Sequence, residues 1–593
     1  MRYYALATDY DGTIARHGRV DEITLAALER LLQTGRKLIL VTGRQLPELK
    51  DIFPELSLFS WVVAENGALL YQPASKEETL LAAPPAPELI ALARKRGVAP
   101  MQVGRAVLAT WHPHESTLLD CIRALGLEYQ VIFNKDAVMA LPSGVNKATG
   151  LMAVLDSLKL SPHEVVGVGD AENDHAFLAL CECSVAVDNA LPSVKERVDV
   201  VTRADHGAGV TELIDEIIKS DLQAWEGRLR RHHLLLGAAG DGAEVRIPAF
   251  GSSLLVAGPS GSGKSTLTSG FIEQLFQHGY QLCLIDPEGD YDQMPGAITA
   301  GDAQRGPSVG DVLQLLQAAK TNTVVNLVGM PIADRPPFFL SLLSKLVEMR
   351  AQIGRPHWLV VDEAHHLMPA SWVPGPLVLP GGLKRAVFIT VHPGQVSPSV
   401  LAAVGSVVAV GREPEKTIDE FCQALGAQEP RLEPVQLDVG EVLLWSRAEA
   451  QAPRIIRAVQ TRMERRRHVR KYAEGELPPE RSFYFRGRDG RLKLRAQNLR
   501  LFLQLADGVD DDTWQFHREQ ADFSRWFQES IKDERLAEES ARIEKDLNVS
   551  APEARARIRS LVERYYTLPA AGPLPVPGTV AEPKHTEEKS SPA

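Results

Sequence analysis

The sequence predicts an α/β chain built on two mostly parallel sheets, and three observations carry that prediction. Short apolar runs alternate with amphipathic stretches from Tyr3 to about Leu213. A second series of the same kind starts at LLVAG and ends near residue 460. Parallel neighbours need crossover helices, so this alternation is how a parallel sheet reads along a chain. In both series acidic or Gly-rich motifs fall where strands end, which is where open α/β sheets bind ligands.

In the first series YYALAT leads into the helix DEITLAALERLLQTG, which closes on Gly35, and KLILVT and WVVAEN follow. Between about Ala83 and Leu141 the pattern changes to one helix, two strand-like runs, AVLATWH and LEYQVIF, around the helix STLLDCIRAL, and a last strand AVMAL. This reads as an α+β insertion, because VVGVGD, SVAVDN and VDVVT resume the earlier pattern after Asn146. The charged segment from Ser220 to His233, expected to be helical, and the Gly/Asp-rich GAAGDGAE read as a linker. The second series then runs through QLCLID, TVVNLVG, HWLVVDE, AVFITVH, SVVAVG, EVLLWS and RIIRAVQ. From Thr461 to about Thr567 the chain is charged and helical, with one hairpin, SFYFRGRDGRLKLR, turning at Asp489-Gly490, and with Trp526 and Phe527 as core. The remaining segment, rich in Pro, Ser and charge, is expected to be disordered. The expected division is 1–82 with 142–219 for the first core, 83–141 for its cap, 220–245 for the linker, 246–460 for the second α/β domain, 461–567 for the helical region and 568–593 for the tail.

Asp9 and Asp11 stand in DYDGT at the end of the first strand, where a two-residue spacing brings both carboxylates to one mouth of the sheet. One carboxylate can attack a phosphoryl group and the second can protonate the leaving oxygen. Gly12 permits the tight turn and Thr13 adds a hydroxyl. Acidic residues at a strand end also cap turns, so the other strand ends matter. KLILVT ends in Thr42, a hydroxyl donor beside the first strand, and Lys147 in SGVNKATG opens a helix with a cation for phosphoryl charge. Asp170, Asn173 and Asp174 in GVGDAENDHAF bring hard oxygen donors of the kind Mg2+ takes.

These four motifs, in this order over about residues 1 to 220, resemble the haloacid dehalogenase (HAD) superfamily. The insertion between Thr42 and Lys147 resembles the C2-type caps of its Cof-like branch, and its short length is most similar to the caps of sugar-phosphate and phosphoglycolate phosphatases. The resemblance implies a Rossmann-like core and a small phosphorylated substrate. It makes Asp9 the nucleophile that forms an aspartyl-phosphate, Asp11 the general acid and base, and Thr42, Lys147 and Asn173 the phosphate holders. Mg2+ would be held by Asp9, the Asp11 carbonyl and Asp170, with Asp174 in support. His112, His114 and Arg105 on the cap are read first as solvent-facing and second as substrate contacts.

GPSGSGKST, Gly258 to Thr266, fits GxxxxGK(S/T) and lies after the strand SLLVA and before the helix TLTSGFIEQLF. Such a P-loop binds ATP: backbone amides around Gly258, Gly261 and Gly263 cradle phosphates, Lys264 reaches the β and γ groups, Ser265 takes Mg2+ and Thr266 starts the helix. HWLVVDEAHH delivers Asp362 towards the metal and Glu363 as a base for water. Together with LIDPEGDY and ITVHPGQVSPSVL these runs resemble the HerA and FtsK group of ring-forming ATPases over roughly residues 240 to 460. The resemblance implies a hexameric homo-oligomer acting on nucleic acid. Where that group carries a polar sensor, commonly Gln, this chain has Thr390-Val391-His392-Pro393. Arg412 is a candidate arginine finger, with a surface salt bridge as the alternative.

At 593 residues, 44% hydrophobic and 24% charged, the chain is long enough for several packed cores. A net charge of -11 argues against a chain-wide grip on nucleic acid and leaves room for a local one. The basic run Arg462, Arg465, Arg466, Arg467, Arg470 and Lys471 is read first as a solvated face and second as such a grip. Five scattered cysteines, Cys121, Cys181, Cys183, Cys283 and Cys422, no signal peptide and no apolar run near the roughly 20 residues needed to span a bilayer predict a cytoplasmic protein with no membrane contact. Cys181 and Cys183 are read as packing residues. The leading reading is a Mg2+-dependent phosphomonoesterase fused to an ATPase. The alternatives are a ring-forming nucleic-acid motor with an accessory HAD unit, and a nucleic-acid end-processing phosphatase/kinase.

Overall fold

The computed structural model describes residues 1–565 except 252, 260–261, 293, 303, 373–382, 429, 431, 448–451, 460, 462–476, 478, 532 and 547. The sites expected at Gly261, the basic run from Arg462 to Lys471 and the tail 568–593 lie outside the described residues. The chain forms two compact units, Met1–Thr461 and Arg462–Ala593.

The first unit holds both α/β domains. The N-terminal domain has strands β1 (Ala5–Thr8), β2 (Lys37–Val41), β3 (Trp61–Ala64), β4 (Leu69–Gln72) and β5 (Glu77–Leu80) before its insertion. The insertion carries β6 (Gln102–Val103), β7 (Leu108–Trp111), β8 (Tyr129–Asn134) and β9 (Ala137–Pro142), and the core resumes with β10 (Val165–Gly169), β11 (Cys183–Ala186) and β12 (Val200–Val201). The core sheet has the order β12-β11-β10-β1-β2-β3-β4-β5, parallel from β12 to β3 and antiparallel beyond. β1 and β10 are buried along their whole length, as expected of strands covered by helices on both faces. The chain winds one way from β1 to β3 and the other way from β10 to β12, so a topological switch lies between β1 and β10, the place at which open α/β sheets bind ligands. The insertion is a four-stranded antiparallel sheet, β6-β7-β9-β8, with helices Pro87–Lys95 and Glu115–Ala124 packed on it around Leu89, Leu118 and Ile122.

The second domain adds β13 (Leu234–Ala239), β14 (Glu244–Ile247), β15 (Leu254–Ala257), β16 (Leu282–Asp286), β17 (Ala297–Ala300), β18 (Asn322–Asn326), β19 (Trp358–Val361), β20 (Ala386–Thr390), β21 (Ser406–Ala409), β22 (Glu441–Ser446) and β23 (Arg454–Ala458). They form one sheet in the order β14-β13-β23-β22-β21-β15-β20-β19-β16-β18-β17, parallel from β21 to β17. One expectation is corrected here. Residues 220–245 are not a helical linker: Gln223–Arg228 is a 3-10 turn, and β13 and β14 already pair as a hairpin at the sheet edge. The reason is local, since Asp241-Gly242 between two alternating runs is a hairpin turn, with Gly242 at φ 85°.

The C-terminal unit pairs β24 (Phe483–Phe485) with β25 (Leu494–Ala496) and packs helices Leu499–Gly508, Asp511–Glu519, Asp522–Trp526, Glu534–Lys545 and Ala551–Tyr565 around aromatic side chains. Trp526 and Phe527 are both buried there. No helix among the described residues is long and apolar enough to cross a membrane. All five cysteines are buried.

Candidate functional site

The register of the first sheet aligns the carboxyl ends of β1, β2 and β10: Thr8 faces Val168 on one side and Leu40 on the other. Asp9, Thr42 and Asp170 are therefore the residues at which the chain leaves three adjacent strands. Asn146 caps the helix Lys147–Leu158 by accepting from the amides of Ala148 and Thr149, and so fixes Lys147 at the helix start. The Lys147 ammonium lies 2.6 Å from Asp9 Oδ1 and 2.6 Å from Asp174 Oδ1, with all three side chains buried. Ligand oxygens of Asp9, Asp170 and Asp174 lie within 4.8 Å of one another.

Burial, then the charges of Asp174 and Asp170, pushes Asp9 well above the usual carboxylate range, with Lys147 opposing. Asp170 is raised for the same first reasons, burial and Asp174. Burial works against the charge of Lys147, but Asp174 and Asp9 outweigh it and hold the ammonium above its ordinary value. A group of buried hard-oxygen donors that carries more negative charge than its lysines offset fits a divalent cation of the Mg2+ kind. The two acids on the β10 loop differ in what remains for such an ion. Asp174 Oδ2 accepts from the amides of Asp170 and Ala171 and its Oδ1 from Lys147, so its oxygens already hold the loop and the lysine in place. Asp170 is bonded by the Thr13 hydroxyl at 3.2 Å and by Lys135 at 2.8 Å. Gly12, at φ 83°, lets the loop pass Asp170, because a Cβ there would collide with the Asp170 carboxylate.

Asp11 is half-exposed, and Arg44 grips it with two bonds, Nε to Oδ2 at 2.6 Å and Nη2 to Oδ1 at 2.8 Å. Thr42 Oγ1 accepts from the Arg44 amide. Asn173 donates to Asn66 Oδ1 at 2.8 Å, and its own Oδ1 is buried with no partner among the described residues. Three contributors were not legible in the sequence. Lys135 sits at the β8–β9 turn with φ 52° and reaches Asp170 from the cap, Asn66 follows β3 at φ 53°, and Glu65 accepts from the amides of Arg105, Ala106 and Val107, tying core to cap. Their only sequence signal is turn composition. Arg105 and His112 are exposed, and His114 is half-buried and bonds the Ala99 carbonyl.

In the second domain Gly258 follows β15 and Gly263, at φ 100°, precedes the helix Lys264–Gln277, whose first turn holds Ser265 and Thr266. Lys264 is buried and donates to the carbonyls of Gly258 and Pro259, both at 2.8 Å. The strand β20 lies between β15 and β19, and Asp362 and Glu363 follow β19 directly. Burial, then Asp286, Glu363 and Asp290, raises Asp362 well above the usual range, so the ends of β16 and β19 gather acidic charge. His365 Nδ1 lies 3.4 Å from Glu363 Oε2 and 3.1 Å from Thr390 Oγ1, and burial with the neighbouring His366 and His392 pushes it down to about 4, leaving it neutral. Arg412 is exposed on the loop after β21.

Comparison with known proteins finds relatives of two families along the chain. The family model for haloacid dehalogenase-like hydrolases matches residues 6–102 and 125–214, and that for the central domain of helicase HerA matches residues 234–334. A phosphoglycolate phosphatase of Methanothermobacter thermautotrophicus is 30% identical over 220 residues, which are 35% of this chain and 96% of that protein. Phosphoglycolate phosphatase 2 of Saccharolobus solfataricus is 26% identical over 225 residues, 36% of this chain and 93% of its own. A solved haloacid dehalogenase-like hydrolase from Bacteroides thetaiotaomicron is 23% identical and covers 36% of this chain and 99% of its own, with a TM-score of 0.33. The chain belongs through its N-terminal domain to the haloacid dehalogenase-like hydrolases, with a HerA-like domain joined after it.

Proposed function

We propose that the N-terminal domain is a Mg2+-dependent phosphomonoesterase that works through an aspartyl-phosphate on Asp9, with a small phosphorylated metabolite of the phosphoglycolate or sugar-phosphate class as substrate. The observation that carries this reading is the meeting of Asp9, Lys147, Asp170 and Asp174 in one buried pocket at the strand ends. Relatives named as phosphoglycolate phosphatases, matched over nearly their whole length, support the substrate class.

Asp9, the Asp11 carbonyl and Asp170 would hold the ion, with Asp174 orienting Asp170. Bound there, Mg2+ supplies positive charge against the carboxylates and the phosphoryl oxygens. Asp9 Oδ attacks phosphorus and the ester oxygen leaves, taking a proton from Asp11; in the second step Asp11 takes a proton from water, which attacks phosphorus and restores Asp9. Lys147 holds Asp9 in line and neutralises phosphoryl charge, and Thr42 and Asn173 donate to phosphoryl oxygens. Asp11 must leave Arg44 to exchange protons, and a phosphate is an equally good bidentate partner for that guanidinium.

The second domain, in the same proposal, binds and hydrolyses ATP, with Lys264 on the phosphates, Ser265 and Asp362 towards Mg2+ and Glu363 activating water. Arg412 is its candidate finger in a neighbouring copy.

A phosphometabolite panel with Mg2+, run on wild type, Asp9→Asn and Lys264→Ala with and without ATP and DNA, tests both halves. Asp9→Asn should lose at least about 10³-fold in phosphate release while keeping ATP hydrolysis. Lys264→Ala should show the reverse. Undiminished turnover of the preferred ester by Asp9→Asn would refute the assignment. Light scattering on the same samples reads out the hexamer, and the DNA arm reads out nucleic-acid stimulation.

A further inference from the structure

Where the N-terminal domain meets the second one, a set of imidazoles and one carboxylate converges that neither proposed reaction uses. His163 lies in the 3-10 turn Pro162–Glu164 before β10, Glu182 directly before β11, and His232 in the stretch leading to β13. Ligand atoms of the three lie within 4.8 Å of one another. His163 Nδ1 is 2.6 Å from Glu182 Oε2, and His232 Nε2 is 4.0 Å from the same oxygen.

We infer that His163 Nδ1, Glu182 Oε2 and His232 Nε2 form a binding site for a divalent transition ion of the zinc class. Three features of the geometry point to it. First, His163 Nε2 faces the His278 carbonyl at 2.8 Å, and a carbonyl can only accept, so the ring proton sits on Nε2. The Nδ1 lone pair then faces a carboxylate at bonding distance, and only a positive particle, a proton or a metal ion, can lie between two acceptors. A ligating histidine commonly gives its other N–H to a backbone carbonyl in this way. Second, His232 Nε2 is buried with no hydrogen-bond partner among the described residues, although a polar atom that lacks a partner is costly to bury. Third, Arg2 holds Glu182 Oε1 at 3.2 Å, which turns Oε2 towards the two imidazoles, while the Tyr280 hydroxyl lies 3.2 Å from Oε1 and 3.1 Å from Oε2.

Two histidines and a carboxylate suit zinc-class ions, whereas Mg2+ prefers all-oxygen sites, so this site and the Asp9 pocket select different metals. Three protein ligands leave a fourth position. A cavity of about 510 Å³ lined by His163, His232, His278 and Lys320 lies on that side and gives it an entry path. The ion would tie the stretch before β13 to the N-terminal core beneath the carboxyl end of the P-loop helix, where His278 is the cap.

The test uses the full chain, stripped with chelator and equilibrated with excess Mg2+ to fill the carboxylate sites, then titrated with Zn2+ and, in parallel, Co2+. Wild type should bind one Zn2+ more per chain than His232→Gln, and Zn2+ should raise the thermal midpoint of wild type only. Mg2+-dependent phosphate release should be the same in both. Equal Zn2+ uptake by wild type and His232→Gln overturns the site. If the variant, before Zn2+ is added, elutes or melts unlike wild type, the Co2+ spectrum of wild type decides. Intense visible bands of tetrahedral Co2+, bleached by Zn2+ and untouched by Mg2+, support the site; weak octahedral bands that Mg2+ removes overturn it.

Discussion

Lys135 brings a charge of the cap into the N-terminal site. Its ammonium is half-exposed yet bonds the fully buried Asp170, so it joins the hairpin tip to the strand end beneath. A charge-assisted bond of this kind is worth about 1.5 to 3 kcal/mol. Lys135→Ala should therefore lower kcat/KM for the phosphoester by about 10- to 100-fold, mostly through KM, and Lys135→Arg should recover part of it. Steady-state kinetics over a substrate range would check the split; an unchanged KM would remove Lys135 from substrate closure. The neighbouring residues explain why such a role escapes a reading of the sequence. Asp9, Lys147 and Asp170 stand in motifs whose types and order carry the chemistry by themselves. Lys135 stands in a turn, where lysine is ordinary, and acquires its partner only when the hairpin folds over the sheet.

At the scale of elements, two joints decide the site. The loop after β3 passes the start of the helix Lys147–Leu158 so closely that a Cβ on Gly67, at φ 100°, would collide with the Asn146 carbonyl. Gly67→Ala should cost about 2 to 4 kcal/mol in urea unfolding and should also lower phosphatase activity, because relief of the clash moves Lys147 off Asp9. In the C-terminal unit Glu544, near the end of the helix Glu534–Lys545, accepts from the amides of Phe523 and Ser524 and so caps the helix Asp522–Trp526. Burial raises Glu544 above its ordinary value of 4.5 despite those bonds. The sign follows from linkage: a carboxyl that holds its proton more tightly when folded stabilises fully below about 4.5, and that contribution is lost as pH rises through its folded-state value. Glu544→Gln keeps an acceptor and removes the charge. Its thermal midpoint, followed by the fluorescence of buried Trp514 and Trp526, should gain on wild type as pH rises from about 4 to about 8. A constant gap would show that the buried charge is not what matters.

At the scale of the whole first unit, the two α/β domains share buried polar contacts. Glu164 of the N-terminal domain receives His357 at 2.9 Å and lies 3.7 Å from the Arg355 guanidinium, which also donates to the Lys159 carbonyl at 2.6 Å. Tyr4 donates to the carbonyls of Arg350 and Ala351. Arg355 and Glu164 are 0% and 1% exposed, so loss of the guanidinium leaves the buried carboxylate with the Ser161 amide and His357 and without its arginine charge. Arg355→Leu should therefore cost about 3 to 5 kcal/mol, and urea should then inactivate phosphate release and ATP hydrolysis at the same lowered midpoint. Separate midpoints would mean that the domains unfold independently and that these contacts do not couple them.

What the sequence by itself determined is the α/β class, the presence of two strand series with an inserted cap, and the type and order of the chemical groups at the strand ends, since hydrophobic period and motif spacing are local properties. The strand order, which sets β1 beside β10 and β20 between β15 and β19, had to come from the tertiary structure. So did the hairpin at 234–247 that replaces the expected linker, and the polar junction of His163, Glu182 and His232. Those depend on which distant segments pack together, and side chains as unremarkable as a loop histidine or a turn lysine gain their meaning from burial beside a partner far away in the chain.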